Sequence, residues 1–128
     1  MNELTALIVE DDPDFRTSVA ILVEREGYRV CEAPTLASAR ERMADTHLDL
    51  VLLDLALPDG SGLELLTALV AAPHAPPVII FSAHEVDETT ADSVAAVLIK
   101  SRTSHLELLD HIRDVLAAHP GAEAVAAR

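Results

Sequence analysis

Apolar positions along this chain follow two alternating rhythms. Five short runs have the apolar character of strands: residues 4–10 (LTALIVE), 28–33 (YRVCEA), 48–54 (LDLVLLD), 78–82 (VIIFS) and 95–100 (AAVLIK). Runs of this length, rich in Val, Ile and Leu, predict strands. Between them the apolar residues recur at helical spacing. Phe15, Val19, Leu22 and Val23 share one face of a first helix, with Asp12 as N-cap, Pro13 at the first helical position and Gly27 as the stop. A second helix starts at Thr35 and presents Leu36, Ala39, Met43 and Ala44. A third runs from about Gly62 to Ala71 with Leu63, Leu66 and Val70 as its face. A last helix carries Leu108, Ile112, Val115 and Leu116. Residues 84–94 (HEVDETTADSV) have two threonines, several acids and little apolar periodicity, so any helix there should be short.

Strands alternating with helices imply an α/β fold, a parallel sheet covered on both faces with right-handed crossovers. Runs one, three and four are apolar enough for central strands buried on both sides. YRVCEA alternates and suits an edge. After about Ala118 the segment HPGAEAVAAR contains a Pro-Gly break, so one domain is expected over residues 1–119, with 120–128 a disordered tail or the start of a linker.

Composition narrows the function classes. The chain has 128 residues, half of them hydrophobic, and three aromatics, so aliphatic side chains must fill a single core. A net charge of −13 with only nine Lys and Arg argues against direct nucleic-acid binding. No run approaches a bilayer span and the N-terminus lacks a signal pattern, which predicts a cytoplasmic protein without a membrane partner. The single Cys31 reads as a small buried strand residue. The six histidines show no metal-ligand spacing and read as surface or cap residues.

In open parallel sheets the site lies beyond the carboxyl ends of the strands, at the point where strand order reverses. Those ends carry Glu10, Asp11 and Asp12 after the first strand, Asp54 after the third, Ser82 after the fourth and Lys100 after the fifth. Taken singly, each has an ordinary explanation: a helix cap, a turn residue, a strand-end hydroxyl, a surface lysine. Their coincidence on one edge is more specific, and Lys100 is the only lysine. Clustered carboxylates kept ionised call for a cation, and an all-oxygen site with few protein ligands suits Mg2+.

Over residues 3–118 the chain resembles the receiver domain of two-component response regulators. The resemblance rests on LIVEDD (7–12), VLLDLALPDGSGLEL (51–65), VIIFSA (78–83) and VLIK (97–100). It implies a doubly wound five-stranded sheet in the order 2-1-3-4-5 with helices on both faces. It also implies that Asp54 accepts a phosphoryl group from a histidine kinase or histidine phosphotransfer protein, and that a downstream protein partner reads the result. By the same resemblance Mg2+ is held by Asp11, by Asp54, by the backbone carbonyl of Ala56 and, through water, by Glu10. Ser82 and Lys100 are implied to bind the phosphoryl oxygens. Such a domain is a self-catalysed acceptor with slow autodephosphorylation and not a turnover enzyme; it is expected as a stand-alone regulator or a receiver separated from a larger protein. LPDGSG (57–62) is expected to be a flexible loop open to the donor.

Three features depart from the family. Ser101 follows the lysine where a proline in a cis bond is usual, and Val97 stands in the place of the switch aromatic. The stretch from Ser82 to Lys100 is shorter by about one helical turn, roughly 3.6 residues, which predicts a shortened fourth helix. Alternatives are a pseudo-receiver interaction module not regulated by phosphorylation, a haloacid dehalogenase-type hydrolase and a flavin carrier. The hydrolase needs a second Asp where Ala56 stands, and acids after the first strand would repel a flavin phosphate.

Overall fold

A computed structural model describes residues 3–118. The order of its main elements is β1 (Leu4–Val9), α1 (Pro13–Arg25), β2 (Tyr28–Ala33), α2 (Leu36–Asp45), β3 (Leu50–Leu53), α3 (Gly62–Ala71), β4 (Val78–Ser82), α4 (Glu88–Asp92), β5 (Ala96–Ile99) and α5 (His105–Ala118). The sheet is parallel throughout, in the order β2-β1-β3-β4-β5. Its order reverses between β1 and β3, so the carboxyl ends of these two strands flank the crevice where a doubly wound sheet binds its ligand. Expected residues 120–128 lie outside the described part.

Side-chain alternation divides the core into two layers. Ala6 and Ile8 of β1, Leu50 and Leu52 of β3 and Ile79 and Phe81 of β4 face α1 and α5, where Val19, Val23, Leu108 and Ile112 meet them. Leu7, Val9, Val51, Leu53, Val78 and Ile80 point the other way, onto Leu36, Ala39, Leu65, Leu66 and Leu69 of α2 and α3. β1, β3 and β4 are buried along their full length, which is why they read as unbroken apolar runs. β2 is an edge strand, and its middle residues are partly open. Cys31 there is half-buried against the α2–α3 layer, less enclosed than its expected core position.

Local signals fix where the helices begin. The Asp12 carboxylate accepts the Asp14 and Phe15 N–H groups at 3.0 and 3.3 Å, with Pro13 at the first helical position. Gly27 leaves α1 at φ +97°, a conformation that costs a side-chain-bearing residue energy. Thr35 and Ser38 form a capping box at α2, and Ser61 and Glu64 do so at α3. Two expected faces need correction. α3 buries Leu65, Leu66 and Leu69, while Leu63 and Val70 are exposed. Its sequence GLELLTALVA has apolar residues nearly all round, so spacing alone fits two rotations of the helix. Ala44, expected on the inner face of α2, is exposed.

The fourth helix is short, five residues with none buried, capped by Asp87 through a 2.7 Å bond from the Thr90 N–H. LPDGSG is not an open loop: Ala56–Leu57 and Gly60–Ser61 pair antiparallel as a small hairpin. No helix among the described residues is long and apolar enough to cross a membrane.

Candidate functional site

The parallel register brings the carboxyl ends of β1 and β3 side by side, with Val9 opposite Leu53. The next residues, Glu10 and Asp54, are therefore neighbours, and the Asp54 N–H is bonded to the Val9 carbonyl at 3.0 Å. Both carboxylates are almost completely buried, at 3% and 5% exposure. The chain turns outward after Glu10, so Asp11 is exposed, yet one oxygen from each of Glu10, Asp11 and Asp54 lies within 4.8 Å of the others.

Lys100 closes this group from β5. Its ammonium donates to Glu10 Oε1 at 2.5 Å and to Asp54 Oδ2 at 3.0 Å. Beneath it lies the Phe15 ring, 4.8 Å from Nζ to centroid, itself stacked on Phe81 at 5.1 Å. An ammonium over a ring face gains electrostatically from the π cloud, so the aromatic pair gives Lys100 a floor. Phe15 was legible in the sequence only as a core residue of α1. The backbone supplies further donors: Asp12 N–H to Glu10 Oε2 at 3.2 Å and Ala56 N–H to Asp54 Oδ1 at 3.2 Å.

Burial pushes the Glu10 carboxyl up to about 7, although the hydrogen bonds from Lys100 and the Asp12 backbone oppose it. Burial pulls the Lys100 ammonium down, but its bonds to Glu10 and Asp54 outweigh that and leave it raised. Three carboxylates and one ammonium leave a deficit of positive charge. The donors facing it are all oxygens, the set a hard divalent ion prefers, so these residues fit Mg2+.

Ser82 ends β4, one strand beyond Asp54. It is buried, and its hydroxyl accepts the His84 N–H at 3.5 Å. Ala56 is exposed on the hairpin two residues past Asp54. Thus Glu10, Asp11, Asp54 and Lys100 meet in one cluster, while Ser82 and Ala56 stand at its margins. Lys100 opens a single 3-10 turn to Arg102, and the described chain contains no cis peptide bond, at Ser101 or elsewhere. Val97 is partly buried against the α2–α3 layer.

Gly62 shows how tightly the chain is held where β3 ends. A Cβ at this position would collide with the Asp54 carbonyl oxygen and lie 2.9 Å from Leu55 Cα, both backbone atoms that cannot yield cheaply. The Gly62 N–H completes the contact with a 2.8 Å bond to the Leu55 carbonyl.

The sequence model of the response regulator receiver domain matches residues 6–100, spanning every residue of this cluster. The chain belongs to that family. It is 35% identical over 91 residues to the swarming motility regulation protein RssB of Serratia marcescens, covering 71% of this chain and 42% of that one. To the response regulator protein PilR of Pseudomonas aeruginosa it is 32% identical over 117 residues, covering 91% of this chain and 26% of the other. The chain therefore spans less than half the length of these curated relatives. Among solved structures, the receiver domain of a putative Luxo repressor protein from Vibrio parahaemolyticus superposes with a TM-score of 0.84 at 23% identity, over 97% of this chain and 98% of that one. The response regulator TrrA of Thermotoga maritima, in complex with Mg2+ and BeF, gives 0.77 at 23% identity, over 88% and 98%. At these identities the structures establish the fold, a doubly wound receiver sheet.

Proposed function

We propose that this receiver domain is a phosphoacceptor switch in which Asp54 takes a phosphoryl group from the phosphohistidine of a histidine kinase or phosphotransfer protein. The observation that carries the reading is the bridge from Lys100 to both Asp54 and Glu10, which sets a nucleophilic carboxylate beside a fixed positive charge at the sheet's carboxyl edge. A carboxylate oxygen of Asp54 attacks phosphorus. The P–N bond breaks, its electron pair returns to the imidazole, and an acyl phosphate remains on Asp54. Water later attacks the same phosphorus, releasing inorganic phosphate and restoring the carboxylate.

Charge compensation on the phosphoryl oxygens governs both steps. Lys100 supplies one positive charge, and the Ser82 hydroxyl, which only accepts from the His84 N–H, keeps its own O–H to donate. Bound Mg2+ would neutralise a share of the charge on the transferring group. Asp11 and Asp54 with the Ala56 carbonyl would hold it directly, and Glu10 through water. The Thermotoga maritima regulator forms a complex with Mg2+ and BeF, and this chain would accept the same pair. The output is binding of a downstream protein partner in the cytoplasm, without enzymatic turnover.

Intact mass after incubation with acetyl phosphate tests the reading. One phosphate should be gained with Mg2+, none with a chelator, and the gain should decay once the donor is removed. A chain that gains nothing under any of these conditions would contradict it.

A further inference from the structure

The hairpin that carries Ala56 is anchored to a helix remote in sequence. Asp59, at its tip, accepts two backbone N–H groups from the first turn of α2: Leu36 to Oδ1 at 2.8 Å and Ala37 to Oδ2 at 3.1 Å. Gly60 lies against the same turn, where a Cβ would be 2.7 Å from Leu36 Cδ1. The other end of the hairpin is fixed by the Ala56 N–H on Asp54 Oδ1 and by Gly62 on the Leu55 carbonyl. A two-residue ladder exposed to water has little stability of its own. Its shape therefore depends on those attachments and on the Ser61–Glu64 capping box that ties its second strand to α3.

We propose that Asp59 is a positioning residue for the metal: by capping α2 from outside, it holds the hairpin in the shape from which the Ala56 carbonyl would reach a Mg2+ ion held by Asp11 and Asp54. This rests on the reading of the acidic cluster as a Mg2+ site. The hydrogen bonds of the Asp59 side chain run to α2 and not to the cluster, so it acts through the backbone between them. The N–H groups of Leu36 and Ala37 are free donors at a helix N-terminus, where a carboxylate is favoured by both hydrogen bonding and the helix dipole. They hold the Asp59 carboxyl below its usual range, the Leu36 bond contributing most, so the attachment stays ionised at neutral pH. α2 already has its own cap in Thr35, whose hydroxyl accepts the Ser38 N–H at 3.0 Å. Asp59 is thus a second cap, and its particular consequence falls on the hairpin.

The experiment is calorimetric titration of the apo protein with Mg2+ alone, on wild type, Asp59→Ala, Asp59→Asn and Thr35→Val, each first checked for folding by circular dichroism. Outer-shell partners of metal ligands are worth about 10-fold or more in affinity. Asp59→Ala should bind Mg2+ about tenfold more weakly, and Asp59→Asn, which keeps an oxygen for Leu36, should recover part of the loss. Thr35→Val should lower the melting temperature without weakening Mg2+. Equal Mg2+ affinity in wild type and Asp59→Ala would overturn the proposal, as would a Thr35→Val loss as large as that of Asp59→Ala, which would trace the effect to α2 stability. A wild type that binds no Mg2+ would overturn both this role and the metal site beneath it.

Discussion

Lys100 and Asp54, separated by 46 positions in the chain, are joined by a 3.0 Å ammonium–carboxylate bond, and the same ammonium holds Glu10. Removing it would leave two buried carboxylates facing each other. Losing one partner of a fully buried pair costs 3–5 kcal/mol; Lys100 is about a quarter exposed, so Lys100→Ala should cost about 2 kcal/mol in the apo protein. Because Mg2+ would supply the missing charge, it should stabilise the variant more than the wild type. Urea unfolding with and without Mg2+ measures both quantities.

The adjacent acids should separate by role. Asp12 is committed to the N–H groups of α1, whereas Asp11 faces the cluster. Asp12→Ala should lower stability by about 1 kcal/mol as a lost cap and keep the Mg2+-dependent rise in melting temperature. Asp11→Ala should abolish that rise. Exchange of the two behaviours would shift the ligand assignment by one residue.

Most of the fold and much of the candidate site could be read from the sequence because their signals are local. β1, β3 and β4 are doubly buried, so each is an unbroken apolar run. The strand ends then line up Glu10, Asp54, Ser82 and Lys100 through topology alone. The rest depends on contacts between distant segments. The face of α3 was ambiguous because Leu63, Leu65, Leu66, Leu69 and Val70 nearly encircle it. Asp59 falls in a stretch expected as a flexible loop, since its partners Leu36 and Ala37 are more than twenty positions away. Nothing in the pattern around Phe15 distinguishes a core ring from one that carries an ammonium.

Tyr28 gives a pH dependence that can be read directly, since it is the only tyrosine. Burial raises its phenol from 10.0 to about 12, with Asp49 and Glu26 adding to the effect. The folded state therefore holds the proton more tightly than the unfolded one. The associated stability is fully present below pH 10.0 and is lost as pH rises through about 12. Tyrosinate absorbance should rise only near that upper value in the folded protein. Tyr28→Phe should lose less stability than wild type across the same window.

The readout should fall on α4. It has no buried residue, begins a few positions beyond Ser82, and no ring stands at Val97 to move with the hydroxyl. Amide exchange with and without beryllofluoride should differ most between residues 83 and 95. A difference confined to α5 would place the output elsewhere.

Whether Asp54 is the acceptor is decided by labelling the Asp54→Asn variant beside wild type. With acetyl phosphate and Mg2+, wild type should gain one phosphate by intact mass and Asp54→Asn none, while both remain folded. An Asp54→Asn protein labelled as fully as wild type would contradict the assignment; a folded wild type that takes up no phosphate would leave the domain an interaction module not regulated by phosphorylation.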